Sequence, residues 1–65
     1  SEEEREALLE GAVPGRSIVH SHFGAGQVVG LDGQIIEISF PRAGVKKFAF
    51  LDCVQRGFLR FDTDE

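Results

Sequence analysis

The sequence predicts an all-β fold: a small five-stranded antiparallel barrel preceded by a short N-terminal helix or linker. Three observations predict it. Between Ile18 and Phe50, short apolar runs succeed one another at strand length, separated by glycine-bearing turns. The dipeptide Asp32-Gly33 between two such runs is the pair favoured in a two-residue hairpin. The chain has 65 residues, enough for one domain at most. A chain this short buries only about 60% of its unfolded surface, so short strands must bend strongly and close on themselves to share a core and limit their edges.

Taken in order, Ser1 to Glu10 reads as a helix. Ser1 and Glu4 fit a capping box, the early glutamates suit the positive end of the helix dipole, and Gly11 is a natural stop. Its apolar stripe, Ala7 to Leu9, is thin, and a helix this short needs packing to persist. Residues 1–14 are therefore an acidic helix or linker, 15–61 the barrel, and 62–65 an acidic tail. The first strand contains Ile18-Val19 and leads to a reversal where Gly24 and Gly26 are expected to supply positive φ. The second, Gln27 to Leu31, reaches a type I′ turn centred on Asp32 and Gly33. The third, Gln34 to Phe40, places Ile36, Ile38 and Phe40 on one face and Ile35, Glu37 and Ser39 on the other.

A turn at Pro41 to Gly44 leads to the fourth strand, Val45 to Phe50, in which Lys46, Phe48 and Phe50 share one parity and Val45, Lys47 and Ala49 the other. Leu51 to Val54 suits a single helical turn, and Gln55 to Phe61 a final strand whose register parity alone leaves open. The expected core is Val19, Val28, Ile36, Ile38, Phe40, Phe48 and Phe50.

Net charge is −4, but it is unevenly spread. Both ends are acidic. The segment between them carries Arg16, Arg42, Lys46, Lys47, Arg56 and Arg60 against Asp32, Glu37 and Asp52. A basic module between acidic ends suits an acidic protein surface better than a nucleic-acid backbone, which the ends repel. A single cysteine, Cys53, excludes an intrachain disulfide and fits a reducing, cytoplasmic setting. No apolar run approaches the roughly 20 residues of a membrane span. The chain contains no methionine, so its first residue is not an initiator.

The order His20, Phe23-Gly24, Gly26, Val28, then Phe40-Pro41 and Gly44-Val45-Lys46-Lys47 resembles the small Tudor-like domain at the C-terminus of UvrD/PcrA-type DNA helicases. The resemblance covers about Gly15 to Val54; a weaker one is to the Tudor-like N-terminal region of RapA-type ATPases. Two departures stand out: the turn at Asp32-Gly33 is shorter than in many helicase versions, and Arg56 to Phe61 extends past the pattern. The resemblance implies an SH3-like or Tudor-like barrel belonging to a longer protein. It also implies docking on RNA polymerase that couples unwinding or repair to transcription, with Arg42, Gly44, Lys46 and Lys47 as the contact corner. It makes His20 a turn residue whose ring hydrogen-bonds the backbone near Phe23-Gly24.

Catalytic chemistry finds little purchase. His20 and His22, two apart on a strand, would share a face, but a metal site needs further ligands and the zinc-type spacings are missing. Gly24-Ala25-Gly26 lacks the third glycine and the following helix of a phosphate loop. Cys53 has no orienting partner or oxyanion loop and reads as a buried structural thiol. With no Trp or Tyr, an aromatic cage for methyl-lysine has poor material. No cofactor, metal, small-molecule substrate or membrane is expected, and the chain reads as a non-enzymatic accessory domain. Two functions remain: a protein-interaction module for RNA polymerase, and an auxiliary nucleic-acid module using the same bases with Phe23, Arg56 and Arg60. A folded spacer is the third option, which failure to bind either partner would support. The first is favoured.

Overall fold

A computed structural model describes residues 1–63; Asp64 and Glu65 of the acidic tail lie outside the described residues. The elements are α1 (Glu2–Gly11), β1 (Ser17–His20), β2 (Gly24–Asp32), β3 (Ile35–Phe40), β4 (Gly44–Ala49), α2 (Phe50–Gln55) and β5 (Leu59–Phe61). The strands form one antiparallel sheet in the order β4-β3-β2-β1-β5, leaving β4 and β5 as its edges. The fold is thus the small, mostly β, barrel-like unit that the sequence predicts.

The sheet is rolled, and the cause is local. Between Val28 and Gly30 the β2–β3 register shifts, so Val29 is an extra residue. Such a bulge bends its strand and increases its twist. It also resets parity: Val28 pairs with Ile38 and Leu31 with Ile36, so both side chains reach the concave face although they are an odd three positions apart. Val29 is left 45% exposed on the outside.

The concave face carries Ile18, Val28, Ile36, Ile38, Phe40 and Leu59, all buried, and α2 closes it with Phe50 and Leu51. Ile36, Ile38 and Phe40 share this face as parity requires. Val19 does not; it is half-buried, while Ile18 is fully buried, because Ile18 shares the concave side with His20. Phe48 is only half-buried, packing on the core from the edge strand, and Phe50 is buried as the first residue of α2 instead of the last of β4.

Two turns differ from expectation. Asp32 pairs with Ile35, so the hairpin loop is Gly33-Gln34, one residue later than the expected pair. Only Gly33 has positive φ, +62°, the pattern of a type II′ turn with glycine first. Gly24 has φ +81°, but Gly26 does not share the left-handed region. Gly26 is there for space: a Cβ would lie 2.8 Å from Phe40 Cδ1 and 2.8 Å from the Ser39 carbonyl oxygen.

After β4, α2 ends in a Schellman motif. Gly57, at φ +82°, donates to the Val54 carbonyl at 3.0 Å, and Phe58 donates to the Cys53 carbonyl at 2.7 Å. This consumes residues that the sequence reading assigns to the last strand, which begins only at Leu59. β5 then pairs with β1, His20 opposite Leu59 and Ile18 opposite Phe61, and so Leu59 points inward. At the other end, α1 starts with the expected Ser1–Glu4 capping box. It packs Leu8 and Leu9 against the core, and Ala12 just beyond it is buried.

Gly26→Ala is expected to lower stability by about 1–3 kcal/mol through overpacking against Phe40. Gly30→Ala, where a Cβ meets nothing within 4 Å, should change it by no more than about 1 kcal/mol. Urea unfolding of the two variants beside the parent checks both, and equal stability of the two would contradict this packing.

Candidate functional site

One end of the concave face is almost wholly aromatic. β1 ends at His20, and the turn after it folds back over the ring: the His22 and Phe23 N–H groups donate to His20 Nδ1 at 3.0 and 3.3 Å. An acceptor in both bonds, Nδ1 carries no proton, which leaves the proton on Nε2. The same turn brings Phe23 to His20, with centroids 4.8 Å apart. From β4, Phe48 stacks on His20 at 4.9 Å and 28°. Phe40 meets both His20 and Phe48 edge to face at 6.2 Å. Phe58, fixed by the Schellman turn and by its carbonyl accepting the Ser21 N–H at 2.9 Å, lies near-parallel to His20 at 6.4 Å.

β1 and β4 are separated by two strands, so on a flat sheet they would stand about 14 Å apart, three strand spacings. The His20–Phe48 stack therefore spans the mouth of the roll. It joins strands that share no hydrogen bond, in a geometry that adds about 0.5–1.5 kcal/mol per ring pair beyond area burial.

The expected contact corner sits beside this rim. Gly44, with φ +82°, opens the edge strand β4, and Arg42 is exposed in the turn before it. Lys46 and Lys47 straddle the edge. Lys46 pairs with Ile38 and lies on the concave side, half-buried, its ammonium 4.9 Å from the centroid of Phe23. Lys47 is exposed on the convex side in register with Glu37. Val45, 57% exposed, is on that side too.

The residues considered for nucleic acid lie on three separate segments. Phe23 is on the rim with one face under Lys46; Arg56 bonds the Asp52 carboxylate at 3.2 Å; Arg60 is exposed on the convex face of β5, opposite Val19. Asp32 is exposed within β2. His22 lies in the turn beyond β1, edge-on to Phe23, not on a strand beside His20.

Cys53 is half-buried on α2, and burial, followed by the nearby Asp52 carboxylate, pushes its thiol up against a smaller opposing pull from Arg56. This keeps it protonated and weakly nucleophilic at neutral pH. Among the described residues no group of three or more His, Cys, Asp or Glu is placed to hold a metal ion, and no helix is long and apolar enough to cross a membrane.

Sequence reasoning missed Phe48 and Phe58 as members of the rim. Parity put Phe48 beside Lys46, but the roll that carries β4 over β1 is not written in either strand. Gly57 was the available signal for Phe58, since a glycine just past a helical turn marks a left-handed stop. No protein-family model matches the chain, and no curated protein matches it in sequence.

His20 makes the rim sensitive to acid. Burial, then the neighbouring His22, holds its imidazole below the ordinary histidine value of 6.5. The unfolded chain therefore binds a proton at a pH where the folded chain still resists it, and stability falls as pH drops below about 6.5. The urea midpoint is expected to be flat from about pH 8 to 7 and to decline from about pH 6.5 to 5. That decline should be absent from His20→Gln, and a parent midpoint that stays flat to pH 5 would contradict the assignment.

Proposed function

We propose that this chain is a non-catalytic interaction module that docks on an acidic surface of RNA polymerase, as the UvrD/PcrA-type helicase resemblance implies. One observation carries the docking mode: β4 is an unpaired edge strand with a lysine on each side, Lys46 and Lys47, and Arg42 at its entrance. An edge of this kind offers main-chain hydrogen bonds to an added strand. The charges restrict which strand is welcome. A second copy pairing antiparallel about the centre of β4 sets Lys46 opposite Lys47, and like charges directly opposed are destabilising. An acidic strand meets both lysines favourably, which also speeds encounter and suppresses wrong partners.

The choice of RNA polymerase rests on the resemblance alone. The reading as an auxiliary nucleic-acid module loses its best stacking platform, because the Lys46 ammonium occupies a face of Phe23.

Arg42→Glu plus Lys47→Glu leaves the rim untouched and reverses the exposed charge of the edge. This variant is expected to bind purified polymerase about tenfold or more weakly than the parent, a loss of roughly 1.4 kcal/mol or more. Parent binding should itself weaken with salt, as screened charges require. Surface-immobilised domain titrated with polymerase measures both. Equal affinity of parent and variant, or no saturable binding by the parent, contradicts the proposal. Tighter binding to single-stranded DNA than to polymerase would favour the nucleic-acid module instead.

A further inference from the structure

At the β5 side of the sheet, away from the β4 edge, a groove of about 540 Å³ runs between α1 and Phe61. Its walls are Ala7, Leu8 and Gly11 of α1 together with Phe61, with Glu4 at one end and Arg16 at the other. Arg16 is half-buried and held in place from two sides. Its guanidinium carbon lies 4.1 Å from the centroid of Phe61, and Nη1 donates to the Gly11 carbonyl at 3.3 Å. Gly11 makes that placement feasible, since a Cβ there would lie 3.1 Å from Nη1 and 3.2 Å from Phe61 Cε2. Yet among the described residues Arg16 forms no ion pair. A guanidinium has five N–H donors in a rigid fork that matches a carboxylate, and Arg16 spends one on the chain. Pre-orientation by stacking also lowers the entropy lost when a carboxylate arrives.

We infer that this groove is a docking site for a short apolar-acidic segment of a partner protein, its Asp or Glu carboxylate on the free edge of Arg16 and the preceding apolar side chain against Ala7 and Leu8. Charge fixes its polarity. Among the described residues Arg16 is the one basic residue lining the groove, and Glu4 at the far end is already paired with the Ser1 ammonium at 2.8 Å, so the acid belongs at the Arg16 end. A nucleic-acid backbone is a poor occupant, because the exposed face of α1 carries Glu2, Glu3, Glu4, Glu6 and Glu10. Length is fixed by α1: Glu4 to Gly11 is a rise of about 10 Å along the helix, which is three residues of extended chain at about 3.3 Å each.

The test is a ¹H–¹⁵N titration of the whole chain with acetyl-Leu-Leu-Asp-amide, acetyl-Leu-Leu-Asn-amide and sodium acetate. The Asp peptide is expected to shift Gly11, Phe61 and the Arg16 Nε signal saturably, and to bind about tenfold more tightly than its Asn counterpart. Arg16→Gln should abolish that preference. Should Arg16→Gln perturb the fold, Ala7→Glu serves: it adds an acid to the groove from an exposed helix position, leaves the Arg16–Phe61 stack in place, and should weaken the Asp peptide at least fivefold by like-charge repulsion. Equal affinity for the Asp and Asn peptides, shifts that map elsewhere, or unchanged affinity in a folded variant would overturn the inference. So would acetate producing the same shifts at the same concentration, which would reduce the site to a simple anion contact.

Discussion

The His20 imidazole does two jobs that no other side chain among the described residues does together. Its Nδ1 accepts the His22 and Phe23 N–H groups, closing the turn between β1 and β2, while its ring stacks on Phe48 across the mouth of the rolled sheet. The Phe23 N–H is part-buried and the His22 N–H exposed, so Nδ1 gives the turn two local hydrogen bonds that order the chain between β1 and β2. Only an aromatic acceptor also supplies a flat face to the edge strand. Around this ring the aromatic rim assembles: Phe23 from the turn, Phe40 from β3, Phe48 from β4 and Phe58 from the end of α2. The five-stranded order leaves β4 and β5 unpaired with each other, so side-chain contact takes over where ladder hydrogen bonds stop.

The proposed docking uses what that arrangement leaves open. β4 is held by β3 on one side and by aromatic packing from the concave side, and its remaining edge faces outward with basic side chains above and below. Lys46 is partly committed to Phe23, a contact worth about 0.5–1 kcal/mol at an exposed site; Lys47 and Arg42 are not committed in that way. The surface at α1 and β5 has a different character, an acidic helix with a pre-oriented guanidinium, Arg16, beside it. Two surfaces of opposite sign on so small a unit suit a module that engages a partner in one orientation, because a reversed approach sets like charges together.

Much of this was legible in the sequence. Strict alternation fixed the faces of β3, and the capping box at Ser1 and Glu4 located the start of α1. Turn positions were legible only to within a residue. Asp32-Gly33 announces a hairpin, but whether the turn centres on that pair or on Gly33-Gln34 depends on the register with β3, which the bulge at Val29 controls. Gly26 looked like a turn glycine and is a packing glycine, since the ring that needs the space, Phe40, is fourteen residues away in the chain. Ile18 and Val19 are adjacent β-branched residues that composition cannot tell apart, and pairing with β2 and β5 decides between them. The basic residues of β4 could be named from the sequence, and their role as a contact corner is what the resemblance implies; their relation to the rim required the roll, a long-range property.

The claim on which most depends is that His20 bridges β1 and β4 as a neutral imidazole with Nδ1 as acceptor. A long-range ¹H–¹⁵N correlation spectrum of the imidazoles near pH 7.5, read with nuclear Overhauser contacts from the same ring, tests it most directly. The account predicts an unprotonated Nδ1, a proton on Nε2, and ring-to-ring contacts from His20 to Phe48. A proton on Nδ1, or a His20 ring with no contact to Phe48, would contradict it.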